Sequence, residues 1–518
     1  MKKIVFRFSD YSHQDYEGLE NIEENGKLIV IREKYKYNLE KEGRYFYLLC
    51  RFIEKLNQES KTGGLIIIDG KDKNDAASER EEEEIEEDSI SYGEKINSPV
   101  MSIKVDEGKV YTKGYIGVLR GLIKYEDEDE KEEYDVTVEI GSRFDRYNDS
   151  QYFLRYMILR GYLYRVPVYE KLNPQASEDD YLWDWLLILA FKYYLEKAYR
   201  NGLFKKYRQF AYNDAKFKGV LDVNRHIKYN IPFIGNIAYN KRELTHNNEI
   251  MHLILHAYDV LKRRFKTDTD RFIERESKAY EAITAIKEVA FDYQNQNIRS
   301  LLNKCSKRIT HPYYYNYEPL RRICLRILRN RGLSFFDGNS ADVFGIIVDI
   351  SKLWELFLEK AVLNDIKNET LYFATQYEIK LNIKGKEGLR EICLRPDYVL
   401  EDKKEKKRYV LDAKYRKGWE NFVVNLHSED SRKLFENIRE DYYQISTYVY
   451  LLSAVWGGAI FPYSKEEIKD PGDICLEGEG KIFYLFPLMI PREKDVIRWK
   501  EHMEKEINNT RSCISQKL

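Results

Sequence analysis

The chain has 518 residues, room for about three domains at ~150 residues each, and its 43% hydrophobic and 33% charged residues exclude a disordered chain. With 86 Lys and Arg against 87 Asp and Glu, a uniformly basic coat for nucleic acid is excluded and only local basic patches remain open. Six cysteines, none in a CxxC pair, argue against a zinc ribbon or a disulfide framework and point to a reducing cytoplasm.

In chain order, residues 1–165 read as strand-rich. Short apolar runs at 27–31 and 65–69 are bounded by Gly or Asn, as strands are. Two acidic stretches, 79–88 and 126–133, read as solvated loops, because like charges repel and resist packing; neither can meet DNA favourably. Residues 166–340 read as mainly helical. Leu182, Trp185, Leu186, Leu189 and Tyr193 recur at helical spacing within 179–199, and Ile250, Leu253, Ile254, Ala257 and Leu261 share a face within 248–265. Further helices are predicted at 283–302 and 317–328, with a basic-flanked hairpin or loop at 217–226. The most apolar run, 182–191, is interrupted by Asp184 and is far short of the ~20 residues of a membrane span, so no membrane partner is expected.

From 341 the pattern changes. A helix is predicted at 347–366 and strands at 375–383, 389–400 and 408–415, the last two joined by a charged turn at 401–407. A long helix at 433–454 and strands at 457–462 and 481–486 follow. The whole reads as a multidomain α+β chain: a strand-rich region at 1–165, a helical middle at 166–340, and an α/β domain at 341–518.

The chemistry concentrates in that last region. Arg395-Pro396-Asp397 is followed fifteen residues later by Asp412-Ala413-Lys414. Residues two apart on a strand point to one face, so Asp412 and Lys414 project together, and Asp397 can approach them across a hairpin. Two converging carboxylates repel unless a hard cation lies between them. Mg²⁺, with Mn²⁺ as a substitute, suits such oxygen ligands, and the Ala413 carbonyl can add one more. A metal-bound water is a better nucleophile, and Lys414 can orient or deprotonate it or stabilise charge on a phosphate. Beside two carboxylates and without metal, the Lys414 ammonium should stay protonated. Glu355 lies on the predicted helix before this pair of strands. Gln444 and Tyr448 lie four residues apart, on one face of the helix after it. Arg395, Arg408, Arg416 and Lys417, with the basic run at 403–407, put positive charge nearby for sequence-independent contacts to a DNA backbone.

Other residues read more plainly. His252 and His256 have apolar neighbours and no Glu beside the first histidine, so they read as core or interface residues. Arg225 and His226 are candidate phosphate contacts or plain surface residues. Trp354 and Phe357 read as core.

The helix–strand–hairpin–helix order around PD…DxK resembles the PD-(D/E)xK nuclease superfamily, in which the first-helix acid assists the metal and a Gln-xxx-Tyr pair lines the site in RecB-like branches. Val348-Asp-Ile-Ser-Lys-Leu-Trp-Glu355 is similar to the "FDMNKLFE" helix of McrC-type nuclease subunits of McrBC-like restriction systems. Leu394-Arg-Pro-Asp-Tyr-Val399 and Val410-Leu-Asp-Ala-Lys-Tyr415 resemble that family's "LRPDIVL" and "ILDAKYK" strands. Looser landmarks are Tyr115-Ile-Gly-Val118, Ile140-Gly-Ser-Arg-Phe144, 218–226 and Asn247-Asn-Glu249. Ser142-Arg143 departs from the family, which often has Lys there. The resemblance covers about 105–465.

The resemblance implies a Mg²⁺-dependent endonuclease subunit of a modification-dependent anti-phage complex. Asp397 and Asp412 would hold the metal and Glu355 would act through a water. It also implies a McrB-like AAA+ GTPase ring as partner, stimulated by this chain, and two nuclease subunits brought together to cut both strands. No GxxxxGK[ST] motif occurs here, so NTP hydrolysis belongs to another polypeptide. The first 165 residues are the candidate motor-interacting or adaptor region. Two other readings remain: a catalytically silent adaptor or activator of a motor, and a RecB-like repair exonuclease.

Overall fold

The computed structural model describes residues 2–11, 13–15, 22–24, 27–29, 42–62, 66–68, 100–104, 109–126, 131–145, 151–162, 180–273, 275, 277–329, 344–366, 371–375, 377–385, 388–425, 431–464, 474–478 and 481–518. They fall into two compact units. One holds the described residues up to 183 together with those from 344 onward; the other holds 184–329.

The first unit contains two large sheets. In the seven-stranded sheet the order is 27–29, 22–24, Lys2–Ser9, Lys131–Gly141, Tyr115–Glu126, Phe344–Asp349, Ile66–Ile68. Strand alternation turns Ile4, Phe6 and Phe8, with Val136, Val138 and Ile140, toward one core. Helix Glu42–Thr62 supplies the opposing wall through Leu48, Leu49, Phe52, Ile53 and Leu56. Burial of each large apolar side chain contributes roughly 1.5–3 kcal/mol. The strand-rich expectation holds for 1–165, but this helix and Tyr152–Tyr162 lie within it as well. The acidic stretch at 126–133 is in part strand, since Glu126 pairs with Lys131 where two strands meet in a hairpin. The stretch at 79–88 lies outside the described residues.

The helix predicted at 347–366 starts later. Phe344–Asp349 is a strand, pairing antiparallel with Tyr115–Glu126 and parallel with Ile66–Ile68. Its β-branched run fits a central strand, and pairing on both sides overrides the helical reading. Gly117, at φ +149°, lies so close to this strand that a Cβ there would meet the Ile346 carbonyl oxygen at 2.1 Å. Asp349 then caps helix Ile350–Leu358 by accepting from the Ser351 and Lys352 N–H groups. This strand joins the two ends of the sequence in one unit, so the first and third expected segments are not separate bodies.

The second sheet runs Leu371–Thr375, Tyr398–Asp402, Lys407–Ala413, Trp456–Tyr463, Lys481–Met489, Ile474–Gly478. The strands predicted at 375–383 and 389–400 are each divided. Ile379–Gly385 and Gly388–Leu394 form a separate hairpin, and the chain leaves it through Arg395-Pro396, where proline lacks the N–H a ladder needs. The predicted helix at 433–454 is two, Ser431–Glu436 and Arg439–Leu451. Ile445 and Val449 of the longer helix pack on the face bearing Val410 and Ala459. On the other face lies Ile350–Leu358, whose buried Trp354 stands 5.9 Å from the Tyr415 ring. Phe357 is buried with it, as expected.

The described residues bear out the predicted helices at Asp180–Tyr199, Glu249–Arg264 and Tyr317–Leu328, with Ile250, Leu253, Ile254, Ala257 and Leu261 buried. The helix predicted at 283–302 is two, Lys278–Val289 and Ile298–Lys304, the second opened by the Asn297 cap. The mainly helical reading missed an antiparallel sheet of Lys206–Asp214, Ile237–Thr245 and Val220–Leu221, followed on the 217–226 segment by the short helix Val223–Tyr229. In Lys206–Asp214 half-buried and exposed positions alternate, but each face mixes apolar and polar residues, Phe210 and Tyr212 with Arg208 on one and Tyr207 and Ala211 with Gln209 and Asn213 on the other, so the sequence lacks the apolar–polar alternation that marks a strand. Among the described residues no helix is long and apolar enough to cross a membrane.

Candidate active site

The hairpin Tyr398–Asp402/Lys407–Ala413 pairs Tyr398 with Leu411, which sets Asp397 opposite Asp412 just past the end of the ladder. Each acid is held partly by the other's strand. The Asp397 N–H donates to Asp412 Oδ1 at 3.3 Å, and the Ala413 N–H donates to Asp397 Oδ2 at 2.9 Å. Asp412 is 3% exposed. Two residues on, the Lys414 N–H donates to the Ile460 carbonyl at 2.9 Å, which carries the strand's pairing past its last ladder residue and keeps Lys414 on Asp412's face.

The Lys414 ammonium lies 2.7 Å from Asp412 Oδ2 and 3.3 Å from Asp441 Oδ1, and it donates to Gln444 Oε1 at 3.1 Å. Burial alone pulls its pKa down, but Asp412 and Asp441, with Asp397 behind them, outweigh that and hold it above the ordinary lysine value. It is therefore protonated at neutral pH, as the sequence implied for the metal-free state. Gln444 Nε2 donates to the Tyr448 hydroxyl at 2.9 Å. Burial pushes the Tyr448 hydroxyl up, so it stays a neutral phenol. The structure thus gathers Asp397, Asp412, Lys414, Gln444 and Tyr448 into one continuous set of polar contacts.

Glu355 approaches from the other side of the hairpin. Its backbone carbonyl accepts from the Tyr398 hydroxyl at 2.6 Å. Burial raises the Tyr398 pKa strongly, with Asp397, Glu355, Glu359 and Asp412 adding to the shift. Among the described residues no three His, Cys, Asp or Glu side chains come close enough together to hold a metal ion directly. The carboxylates of Asp397 and Asp412 are the candidate direct donors. Two hard oxygen donors opposed by one ammonium fit Mg²⁺, which keeps most of its waters and takes only one or two protein carboxylates.

A sequence model of the family described as "McrBC 5-methylcytosine restriction system component" matches residues 111–462. The chain belongs to that family. Among solved structures it is similar to a half-complex from the tetradecameric assembly of Thermococcus gammatolerans McrB AAA+ hexamers with bound McrC. That likeness has 13% identity and a TM-score of 0.42 over 98% of this chain and 99% of that one. It is also similar to a chain of the Thermococcus gammatolerans McrBC complex, at 12% identity and a TM-score of 0.26 over 70% of this chain and 88% of that one. No curated protein matches.

In this McrBC component the basic residues are placed unevenly. Arg416 is paired with Asp441 at 3.4 Å yet keeps a mostly exposed side chain, and Lys417 opens helix Lys417–Val424 beside it. Arg395, two residues before Asp397, is paired with Glu378 at 2.9 Å. Arg408 is paired with Glu401 at 3.3 Å, and it sits four residues before Asp412, about 13 Å along the strand at ~3.3 Å per residue. In the second unit Arg225 spends its donors on the Tyr212 carbonyl and Asn240, while His226 Nδ1 is engaged by Asn230 and the Ala238 N–H. These contacts tie the short helix Val223–Tyr229 to the strands Lys206–Asp214 and Ile237–Thr245. His252 Nε2 meets Asn247 Oδ1 at 2.5 Å and His256 Nε2 meets the Tyr293 carbonyl at 2.9 Å, so both are structural.

Sequence reasoning passed over two groups. Asp441 is one; its spacing with Gln444 and Tyr448 (i, i+3, i+7) marks one helix face and was the available signal. The other is a buried cluster around Arg143. Its backbone N–H and guanidinium bond both oxygens of the fully buried Asp10, its Nη2 donates to the Tyr415 carbonyl at 2.6 Å, and it stacks 4.3 Å over the Tyr415 ring. The residue that departs from the family's lysine thus holds the chain immediately after Lys414.

Proposed function

We propose that this chain is the McrC-type nuclease subunit of its restriction system, with a PD-(D/E)xK domain that hydrolyses DNA phosphodiester bonds using Mg²⁺. One observation carries the reading: Asp397 and Asp412 converge at the end of a hairpin, with the Lys414 ammonium 2.7 Å from Asp412. Asp397 and Asp412 would hold the metal together with the Ala413 carbonyl, and Glu355 would reach it through a water. The ion, when bound, supplies a more acidic water and neutralises charge growing on the phosphate. Lys414, protonated and directed by its neighbours, orients the attacking water or stabilises the pentavalent phosphorus species. Gln444 and Tyr448 fix the free side of that ammonium. Arg395, Arg416 and Lys417 hold the DNA backbone close to the hairpin end, and Arg408 contacts it farther along.

Residues 1–165 stay a candidate motor-interacting region, and the second unit offers a further surface for a motor partner of the AAA+ GTPase kind. Residues 205–245 carry nine Lys and Arg against three Asp and Glu. Val220, Ile231, Phe233 and Ile234 are all exposed there, an apolar set rimmed by charge, which is the composition of a docking surface.

The test uses the chain with its co-purifying motor. Asp412→Ala and Lys414→Ala should abolish cutting in Mg²⁺ or Mn²⁺ while leaving nucleotide hydrolysis by the motor stimulated. An unmutated complex that cuts no DNA but still stimulates the motor would replace this reading with the adaptor. Degradation only from free ends would replace it with the exonuclease.

A further inference from the structure

We propose that Asp441 is the positioning residue for Lys414; the inference rests on the nuclease reading above. A lysine ammonium has three N–H donors, and at Lys414 three acceptors stand around them: Asp412 Oδ2 at 2.7 Å, Gln444 Oε1 at 3.1 Å and Asp441 Oδ1 at 3.3 Å. The three partners are not equivalent. Asp412 is a proposed metal ligand, so its hold on Lys414 is the one that turnover must share. Gln444 is neutral. Asp441 is the charged partner that stays committed to the ammonium.

Asp441 is itself held rigidly. The Trp419 indole N–H donates to Asp441 Oδ2 at 2.9 Å, which leaves Oδ1 to Lys414 and, at 3.4 Å, to Arg416. Trp419 is fully buried and stacked against two aromatic rings, with Phe461 at 5.6 Å and 28° and Phe483 at 6.1 Å and 13°. The contacts therefore run from a rigid aromatic stack through one carboxylate to a flexible lysine. Asp441 itself is 4% exposed, a depth at which an ionised carboxylate persists only with cationic or hydrogen-bonding partners; it has both. Its helix also presents Gln444 and Tyr448, so one helix face constrains the ammonium at two points. Such support from behind a reacting group is what holds it within catalytic tolerance.

The experiment replaces Asp441 by Asn in the complex with its motor. Asn is nearly isosteric and keeps an oxygen acceptor for Trp419. The single-turnover cleavage rate should fall about 10- to 100-fold, as for a group displaced by about 1 Å, while the KM for DNA, Mn²⁺ affinity and the melting temperature stay near wild type. Asp441→Glu, which restores the charge, should recover part of the rate. In the metal-free protein, acylation of Lys414 by an amine-reactive ester, read by peptide mass, should be faster in Asp441→Asn. Should Asp441→Asn misfold, Trp419→Phe decides: it removes the indole donor together with some buried ring volume, so the rate is read on the fraction that stays folded and should fall in the same direction by less. Wild-type cleavage by Asp441→Asn, or by Trp419→Phe where the first misfolds, overturns the proposal, as does a loss that tracks KM or unfolding alone. If Lys414→Ala is inactive in the same assay, the nuclease reading survives that failure; if Lys414→Ala cuts normally, both fall.

Discussion

Around Lys414, charged side chains are buried; along residues 205–245, apolar side chains are exposed. Both arrangements run against the ordinary sorting of residues, and both cost stability, yet they cost it differently. A buried charge is tolerated only when its partners are in place, so the hairpin end is a tightly specified set of mutual contacts. An exposed apolar side chain has no partner to lose, and a substitution there changes little in the isolated chain. The first kind of departure suits chemistry on a bound phosphate; the second suits a surface covered by another protein.

The largest effect is expected at Asp397. Asp397→Asn should cut cleavage of supercoiled plasmid by at least about 10²–10³-fold, the scale for losing a group that stabilises transition-state charge. It should not lower the melting temperature, because it removes one of two mutually repelling carboxylates. A variant that loses stability in proportion to activity would mean the pair is a structural contact instead. Next in size is Arg143→Met, which leaves Asp10 fully buried without its cation. Removing one partner of a buried pair costs roughly 3–5 kcal/mol, read as a lower urea midpoint. Cutting by whatever fraction remains folded should also fall, since Arg143 holds the Tyr415 carbonyl.

Asp145 gives an intermediate effect that depends on pH. Burial pushes its carboxyl up to about 7, against the N–H groups of Phe153 and Leu154 and the charge of Arg155, which favour the ionised form, and with Asp10 adding to the rise. Because the folded pKa is the higher one, the folded state keeps a proton that the unfolded state has lost between about pH 4 and 7. Stability should fall as pH rises through that window and level off above it. Asp145→Asn, which still accepts hydrogen bonds, should flatten that part of the profile, checked by melting at half-unit pH steps. The smallest effect belongs to the other region: Ile234→Ser should change stability by no more than about 0.5 kcal/mol while weakening capture of the motor in a pull-down. A large loss of stability there would show that the exposed face packs within the chain.

The sequence by itself determined which polar side chains gather at the hairpin end. The spacing of Asp397, Asp412 and Lys414 on adjoining strands, and of Gln444 and Tyr448 on a helix, depends on local periodicity alone, and the strongly periodic helices at Glu249–Arg264 and Tyr317–Leu328 were legible for the same reason. Tertiary structure decided what local periodicity does not carry. Phe344–Asp349 is a strand because partners from residues 66–68 and 115–120 complete it on both sides. Pro396 separates two ladders that hydropathy runs together. Asp441 and Arg143 matter through contacts with residues 22 to 27 and 133 or 272 positions away, separations at which sequence spacing holds no information about distance.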